Sequence, residues 1–413
     1  MKSYTEIDKC RGCGSRVFHP VVNLGKVPIV YFPKLNEANP PSVPLEVVRC
    51  GGFCKLVQLK HTTNPDLLWR HDYWYRSSNN SRMVEVLNEV VQEIQNRVRL
   101  EDGDIVVDTG SNDSTLLEQY PPGIVKVGFE PSNLAKETRS GLKIDLLIND
   151  FFHSKAQGFE TLEGKVKVVT SIAMFYDVHN PHTFIEDIKK ILRRDGVWCI
   201  QVAYLPKMLE NGAFESCCHE HLCYYSIHAL QRILQRHNLE IFDVQEVNIN
   251  EGSIRVFVAH NRIRTVMPMV PIMLSKEEKC KLDEDWPYKA FRARMEDTRR
   301  QVKEAIDGMH GIVHCAGAST KGITMLHYFG LDKSRIEAVW EVQPGKWGRR
   351  MPGSDIPIIS EQEGRKRNPE ALMILPWTFA EGFVKREQEY LNGGGKIIIP
   401  LPVFRMIKNG VKR

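Results

Sequence analysis

The chain has 413 residues, 42% of them hydrophobic and 26% charged, with a net charge of +5 at neutral pH. That length is too great for one core, so two or three domains are expected. The small, scattered basic excess argues against nucleic acid as a partner, and no apolar run approaches the roughly 20 residues that cross a bilayer.

Residues 1–75 are short-patterned and Pro-rich, and they carry the closely spaced cysteine pairs. The stretch from Met1 to Cys10 lacks the apolar core of a signal peptide, which makes the cytosol the expected address. In a reducing compartment, paired cysteines suggest metal and isolated ones core packing. Cys10-Arg11-Gly12-Cys13 and Cys50-Gly51-Gly52-Phe53-Cys54 read as two knuckles that offer four thiolates to a tetrahedral zinc. Four protein ligands leave no open position, so the zinc is expected to be structural, and it would supply folding energy to a region poor in apolar residues. The segment Arg70-His71-Asp72-Tyr73-Trp74-Tyr75-Arg76-Ser77-Ser78 follows at a domain junction, where its aromatics either close over a ligand or form a hinge.

Residues 76–300 alternate helical stretches with the β-branched runs Ile105–Val107, Val125–Phe129, Val166–Val169 and Val197–Ile200, the pattern of a parallel α/β sheet. After the first run, Asp108-Thr109-Gly110-Ser111-Asn112-Asp113-Ser114-Thr115 reads as a strand, a tight turn and a helix start. Glu130-Pro131 closes the next run, 20 residues beyond Gly110, where an acid accepts the hydroxyls of a ribose. A dinucleotide loop needs several glycines for its pyrophosphate. With only Gly110 at its turn, this loop better suits S-adenosylmethionine, which has no phosphate. Asp150 and Phe151-Phe152 are placed to meet the adenine, with core packing the competing account of the two rings.

The densest reactive stretch is Glu215-Ser216-Cys217-Cys218-His219-Glu220-His221-Leu222-Cys223-Tyr224-Tyr225. If it is extended, His219 and His221 share one face and Glu220 the other. A histidine suits proton abstraction near neutral pH. A second zinc site from Cys218, His219 and His221 is the alternative, and His219 is expected to be structural.

The charged stretch from Ser275 to Ile306 reads as a helical connector. Residues 307–413 alternate again, with runs at Ile312–Cys315, Ile336–Val339, Leu372–Leu375 and Ile397–Ile399. Gly317-Ala318-Ser319-Thr320-Lys321-Gly322 opens a helix after a strand, an anion-binding pattern. Lys346-Trp347-Gly348-Arg349-Arg350 adds cations and an indole, which together suit a pyrophosphate-bearing ligand, or else form a solvated loop.

Taken in order, these motifs resemble the sugar C-methyltransferase family over nearly the whole chain. They are the paired cysteines, Tyr75-Arg76-Ser77-Ser78, Asp108–Asp113, Thr170-Ser171-Ile172-Ala173-Met174-Phe175-Tyr176-Asp177, His219-Glu220-His221, Gly317–Gly322 and Lys346–Arg349. The resemblance implies an α/β fold in three parts: a zinc-binding domain at 1–75, a class I methyltransferase Rossmann-like domain at 76–300, and a smaller Rossmann-like nucleotide-sugar domain at 307–413. It implies S-adenosylmethionine and structural zinc as cofactors and a nucleotide-diphosphate 4-keto-6-deoxy sugar as substrate, methylated at C-3 through an enolate. His221 corresponds to the base, and Glu220, Tyr75 and Tyr176 to its neighbours. Asp108, Gly110, Ser111, Asn112, Glu130, Pro131, Asp150, Phe151 and Ser171 correspond to cofactor contacts. Ser319, Thr320, Lys321, Lys346, Trp347 and Arg349 correspond to substrate contacts, and Cys10, Cys13, Cys50 and Cys54 to the zinc ligands. The motifs admit a thymidine, guanosine or cytidine diphosphate carrier.

The chain departs from the family pattern at four places. Ser114 stands in place of a usual glycine, Cys218 in place of a tyrosine found in some members, and Glu251-Gly252-Ser253 in place of a glycine pair; the second cysteine knuckle is one residue longer than the first. An O- or N-methyltransferase, and a non-catalytic protein on a decayed methyltransferase fold, are the competing readings.

Overall fold

The computed structural model describes residues 2–69, 74–136, 144–408 and 411–412. Arg70, His71, Asp72 and Tyr73 of the junction segment lie outside them.

Local sequence explains the main helices. Asn80 caps Ser81–Gln95, its side chain accepting from the amides of Arg82 and Met83, and Val86, Leu87, Val90, Val91 and Ile94 form the buried stripe. Asn180 caps Pro181–Ile191 in the same way, with Pro181 in the first turn, where no amide is lost. The expected connector is broken between two helices, Met269–Lys279 and Trp286–Asp307, and the second leads to the C-terminal sheet with Phe291, Met295, Val302 and Ile306 buried along one face. Among the described residues no helix is long and apolar enough to cross a membrane.

Seven strands form the central sheet in the order Leu239–Val247, Ser253–His260, Leu192–Ala203, Val166–Ile172, Ile105–Thr109, Val125–Phe129, Leu146–Ile148. Ser253–His260 is antiparallel to both neighbours and the rest run parallel, the class I methyltransferase arrangement that the resemblance implies. Order reverses at Ile105–Thr109, so the crevice for a ligand opens beyond the ends of Ile105–Thr109 and Val125–Phe129. A second seven-stranded sheet holds Ile358–Ser360, Ala338–Glu341, Val313–Ala316, Ala371–Ile374 and Lys396–Ile399 in parallel, with an antiparallel edge of Arg405–Lys408 and Val411–Lys412. The run expected from Ile336 starts as a strand only at Ala338, because the Ile336 amide is spent on the Asp332 carbonyl in the preceding turn.

The N-terminal part is more regular than its sequence suggests. Phe18–Pro28 and Ser42–Cys50 pair antiparallel over most of their length, and Val57–Leu59 adds a third strand. Register shifts between Pro20 and Val22, and between Asn23 and Lys26, break the period-two pattern. Phe18–Pro28 is an edge strand, where prolines are tolerated. The fourth strand, Cys223–Tyr224, comes from the reactive stretch of the central part. The sheet carrying the cysteines therefore holds the chain just after His221 in register.

Candidate functional site

The four cysteines converge. Their sulfurs lie within 4.8 Å of one another, with Cys10 and Cys54 at 3.5 Å and Cys13 and Cys50 at 3.4 Å. Tetrahedral zinc with Zn–S bonds of about 2.3 Å sets its sulfurs roughly 3.8 Å apart, so the cluster fits that ion. The amides of Gly12 and Gly52 and the Gln58 side chain donate to Cys10 and Cys50, as thiolate ligands require. Among the described residues no other group of three or more such donors converges. The alternative set does not form, because His219 Nε2 faces the Val43 carbonyl at 3.1 Å and His221 Nδ1 the Ser216 carbonyl at 2.9 Å.

One cavity of about 850 Å³ opens at the sheet's switch point and is lined from the N-terminal, central and C-terminal parts of the chain. Asp108, Gly110, Ser111, Asn112, Glu130, Pro131 and Phe151 all line it. Gly110 has φ +119°, which brings the loop backbone against the opening at a conformation glycine supplies cheaply. Glu130 fixes the loop by accepting the amides of Asn112 (2.8 Å) and Ser132 (2.9 Å). The hydroxyl of Ser111, a buried residue, has no partner. A polar, glycine-turned cradle with a carboxylate at its wall fits the ribose and amino-acid ends of S-adenosylmethionine. Burial pushes Asp108 up to about 7, against the Thr170 hydroxyl that donates to it.

Two cofactor candidates are placed otherwise. The Ser171 hydroxyl is fully buried between Thr109 Oγ1 (2.7 Å) and Trp198 Nε1 (2.9 Å), holding neighbouring strands together. Asp150 does not line the cavity and caps its own turn at the Phe151 amide. Phe152 belongs mainly to an aromatic cluster with Phe129, Phe159 and Phe184.

The junction segment is bound to the cofactor loop. Asn112 Oδ1 accepts the Ser77 amide, Asp113 Oδ2 the Ser78 amide, and Asn112 Nδ2 donates to the Tyr75 carbonyl. These bonds hold Tyr75 at the cavity wall.

Deeper in the cavity lie Tyr176, Glu220 and His221. The residues from Cys217 to Leu222 do not form a strand, so no alternation separates Glu220 from the histidines. His221 stacks obliquely on Tyr176, ring centroids 4.3 Å apart. Because Ser216 O can only accept, His221 Nδ1 carries the proton and Nε2 offers the lone pair. Burial, and then the Lys321 charge, push His221 down to about 3, so it is neutral at physiological pH. Burial raises Glu220, whose Oε1 accepts the Thr320 hydroxyl at 3.1 Å while Oε2 has no partner.

Three acids in this region escaped the sequence reading as site residues: Asp177, Glu215 and Glu251, all on the cavity wall. Burial raises Asp177, and it pushes Glu215 up to about 7 with Glu251 adding to the rise. Glu215 accepts Trp377 Nε1 at 2.5 Å. Asp177 and Glu215 sit at the end and start of motifs already singled out, which was the available signal. Trp377, from a loop after a C-terminal strand, had none.

Ser319, Thr320 and Lys321 reach the cavity from the C-terminal part, whereas Lys346, Trp347 and Arg349 do not line it. Lys346 is buried on the Ala318 carbonyl (2.8 Å) and beside Glu341 (3.5 Å). Trp347 donates to the Glu341 carbonyl, and Arg349 donates to Phe32 O while covering the Trp74 ring at 5.0 Å. Of the expected diphosphate cations, Lys346 is engaged inside the C-terminal part and Arg349 fastens that part to the N-terminal one.

Residues 10–69 match a zinc binding domain model, 80–244 a methyltransferase domain, and 248–402 the C-methyltransferase C-terminal domain. C-methyltransferase NovU of Streptomyces niveus is 30% identical over 409 residues, spanning 97% of each chain. Among solved structures, an S-adenosylmethionine-dependent methyltransferase from Clostridium acetobutylicum overlaps 43% of this chain and 92% of its own, at 13% identity and a TM-score of 0.34. The PH0226 protein from Pyrococcus horikoshii overlaps 45% of this chain and 95% of its own, at 12% identity and a TM-score of 0.36. Because the match to NovU runs the length of both proteins, beyond a shared cofactor domain, this chain is a member of the C-methyltransferase family, S-adenosylmethionine-dependent and zinc-binding.

Proposed function

We propose that the chain methylates C-3 of a nucleotide-diphosphate 4-keto-6-deoxy sugar by way of an enolate. An ordinary sugar carbon is too weak a nucleophile to take a methyl group, so the reaction needs a ketone to acidify the neighbouring C–H and a base to remove the proton. The observation that carries the reading is His221, whose Nδ1–H is pinned to Ser216 and whose Nε2 is left as a neutral base in the cavity that also holds the cofactor loop.

In this reading His221 Nε2 takes the C-3 proton, and the C–H electron pair forms the enolate. Tyr75 and Tyr176 orient the sugar, and Glu220, which burial shifts towards its neutral form, stands beside it. When bound, S-adenosylmethionine supplies an electrophilic methyl on a sulfonium. The Gly110 loop, Glu130 and Phe151 hold that group, and residues 307–413 close the sugar side of the cavity through Ser319–Lys321.

The test is mass spectrometry of nucleotide-linked 4-keto-6-deoxy sugars incubated with S-adenosylmethionine, wild type beside His221→Ala. One added methyl, stable to mild hydrolysis, with loss of the C-3 hydrogen and absent in the variant, is expected. A product that keeps its C-3 hydrogen but loses the one on C-5, the other carbon beside the ketone, would move the methyl to C-5, and one that keeps both would turn the assignment to O- or N-methylation. No product together with no cofactor binding would leave a non-catalytic protein.

A further inference from the structure

The cavity contains a second chemical device beside the base. Among the described residues that line it, Lys321 is the only lysine or arginine. Its ammonium is ion-paired with Glu251 Oε1. Glu251 Oε2 accepts the Ser216 hydroxyl at 3.3 Å, and the carbonyl of the same Ser216 accepts His221 Nδ1–H at 2.9 Å. One serine thus ties the base to the carboxylate that holds the lysine. The residue before Lys321, Thr320, donates to Glu220. Glu251 is held at φ +65°, a conformation costly for a side-chain-bearing residue, with Asn211 Nδ2 bonded to its carbonyl. Strain of that kind persists where the surroundings fix it and gathers at functional sites.

We propose that Lys321 is a catalytic residue that donates to the oxygen on which negative charge develops when the substrate is deprotonated, with Glu251 as its positioning residue. This rests on the enolate reading above. Deprotonation puts the electron pair of the broken C–H bond into a carbon–carbon double bond and moves the carbonyl π pair onto oxygen. The base and the oxygen's partner must therefore face adjacent atoms, as two groups tied through one serine can. As the new carbon–carbon bond to the methyl forms, the pair returns from oxygen, the carbonyl is restored, and the sulfur keeps the electrons of the broken S–C bond. A diphosphate is a poor occupant for this spot, because its two negative charges would face Glu251 and Glu215 around one ammonium. A single transient oxyanion suits one donor whose charge the neighbours already hold in place. Burial works against the Lys321 charge, but Glu251 and Glu215 outweigh it and keep the ammonium protonated.

The experiment is solvent deuterium exchange at C-3 of 4-keto sugars without S-adenosylmethionine, together with methyl-transfer kinetics, for wild type, Lys321→Met, Lys321→Arg and Glu251→Gln. Calorimetric S-adenosylmethionine binding reports the fold of each. Lys321→Met is expected to lose about 100-fold or more in both exchange and kcat, as for a lost oxyanion donor, with KM changed by less than about threefold. Lys321→Arg should recover part of the rate, and Glu251→Gln should lose about tenfold with KM unchanged. A raised KM with kcat intact in Lys321→Met would make the lysine a phosphate contact. Exchange at the wild-type rate in that variant would overturn its role alone. Loss of cofactor binding by both lysine variants would make it a structural residue and overturn the proposal. If wild type exchanges no C-3 hydrogen from any 4-keto sugar, the enolate reading falls and this proposal with it.

Discussion

The central and C-terminal sheets carry the same device at the same place. In each, a strand ends in a glycine at positive φ, Gly110 at +119° and Gly317 at +90°. The glycine amide closes on the end of the neighbouring parallel strand, Gly110 N on Phe129 O and Gly317 N on Trp340 O, both at 2.8 Å. The acid at or just beyond that strand's end accepts a loop amide, Glu130 from Asn112 (2.8 Å) and Glu341 from Ala318 (3.1 Å). The surroundings differ. Gly110 and Glu130 line the cavity, but Gly317 and Glu341 do not, and Lys346 sits beside Glu341. One copy presents its loop to a ligand. The other has its acid satisfied internally and delivers the next residues, Ser319–Lys321, into its neighbour's cavity. Topology supplies the device, and what fills the crevice decides its use.

The largest separation between the two copies should come at the glycines. A Cβ on Gly317 would lie 2.6 Å from the Pro376 ring, which has no room to swing away, so Gly317→Ala should cost about 3 kcal/mol or more in urea unfolding. At Gly110 the nearest atom is Met174 Cγ at 3.3 Å on a flexible side chain, so Gly110→Ala should cost about 1–2 kcal/mol of backbone strain and mainly weaken S-adenosylmethionine binding. Equal stability losses with unchanged binding would make both loops packing devices. The acids should divide likewise. Glu341→Gln leaves the buried Lys346 ammonium without its counter-charge and should cost about 3 kcal/mol with cofactor affinity intact. Glu130→Gln should raise the cofactor Kd by about 10- to 100-fold with a smaller loss of stability, because hydrogen bonds from a ligand to a charged acceptor weaken. Calorimetry on both variants decides it.

The sequence made some parts of this arrangement plain and hid others. The cysteine knuckles, the Gly110 loop, Glu130 and the His219–His221 stretch were legible because backbone turns and reactive side chains sit within a few residues of one another. Lys346 and Arg349 read as ligand cations because sequence shows charge without its partners. Glu341, Ala318 and Phe32 claim them only in three dimensions. The Cys223–Tyr224 strand was hidden for the same reason, since its partner Val57–Leu59 is more than 160 residues away in the chain. The regular N-terminal sheet was masked by prolines and register shifts that erase its alternation.

Asp108 sharpens the contrast between the copies through pH. It stands two residues before Gly110, where the C-terminal copy has the fully buried Cys315 before Gly317. Its folded pKa, about 7, lies above the ordinary carboxylate value of 3.8. Between those values the folded chain holds a proton that the unfolded chain has lost, so this group's contribution to stability falls as pH rises from 4 to 7. Asp108→Asn can still accept from Thr170 and carries no charge. Its stability without cofactor should match wild type at pH 4 and exceed it by pH 8, with a gain of up to about 4 kcal/mol in urea unfolding. A gap that stays constant with pH would show that the carboxylate is not the cause.

The smallest effects lie at the two serines that open the following helices, and they should have opposite signs. Ser319 caps Thr320–Phe329 with φ −135°, its hydroxyl accepting the Gly322 amide at 3.1 Å. Ser114 precedes Thr115–Glu118 at φ +66°, makes no capping bond, and buries a hydroxyl that has no partner. Ser319→Ala therefore removes a satisfied cap and should destabilise by about 1 kcal/mol. Ser114→Gly relieves both the left-handed strain and the orphaned hydroxyl. The greater freedom of glycine in the unfolded chain offsets part of that, leaving a net gain of about 1 kcal/mol. Urea unfolding of the two variants reads both values. If Ser114→Gly instead destabilises, the hydroxyl must have a partner in the folded chain, and the cofactor loop would be held by a bond with no counterpart in the C-terminal copy.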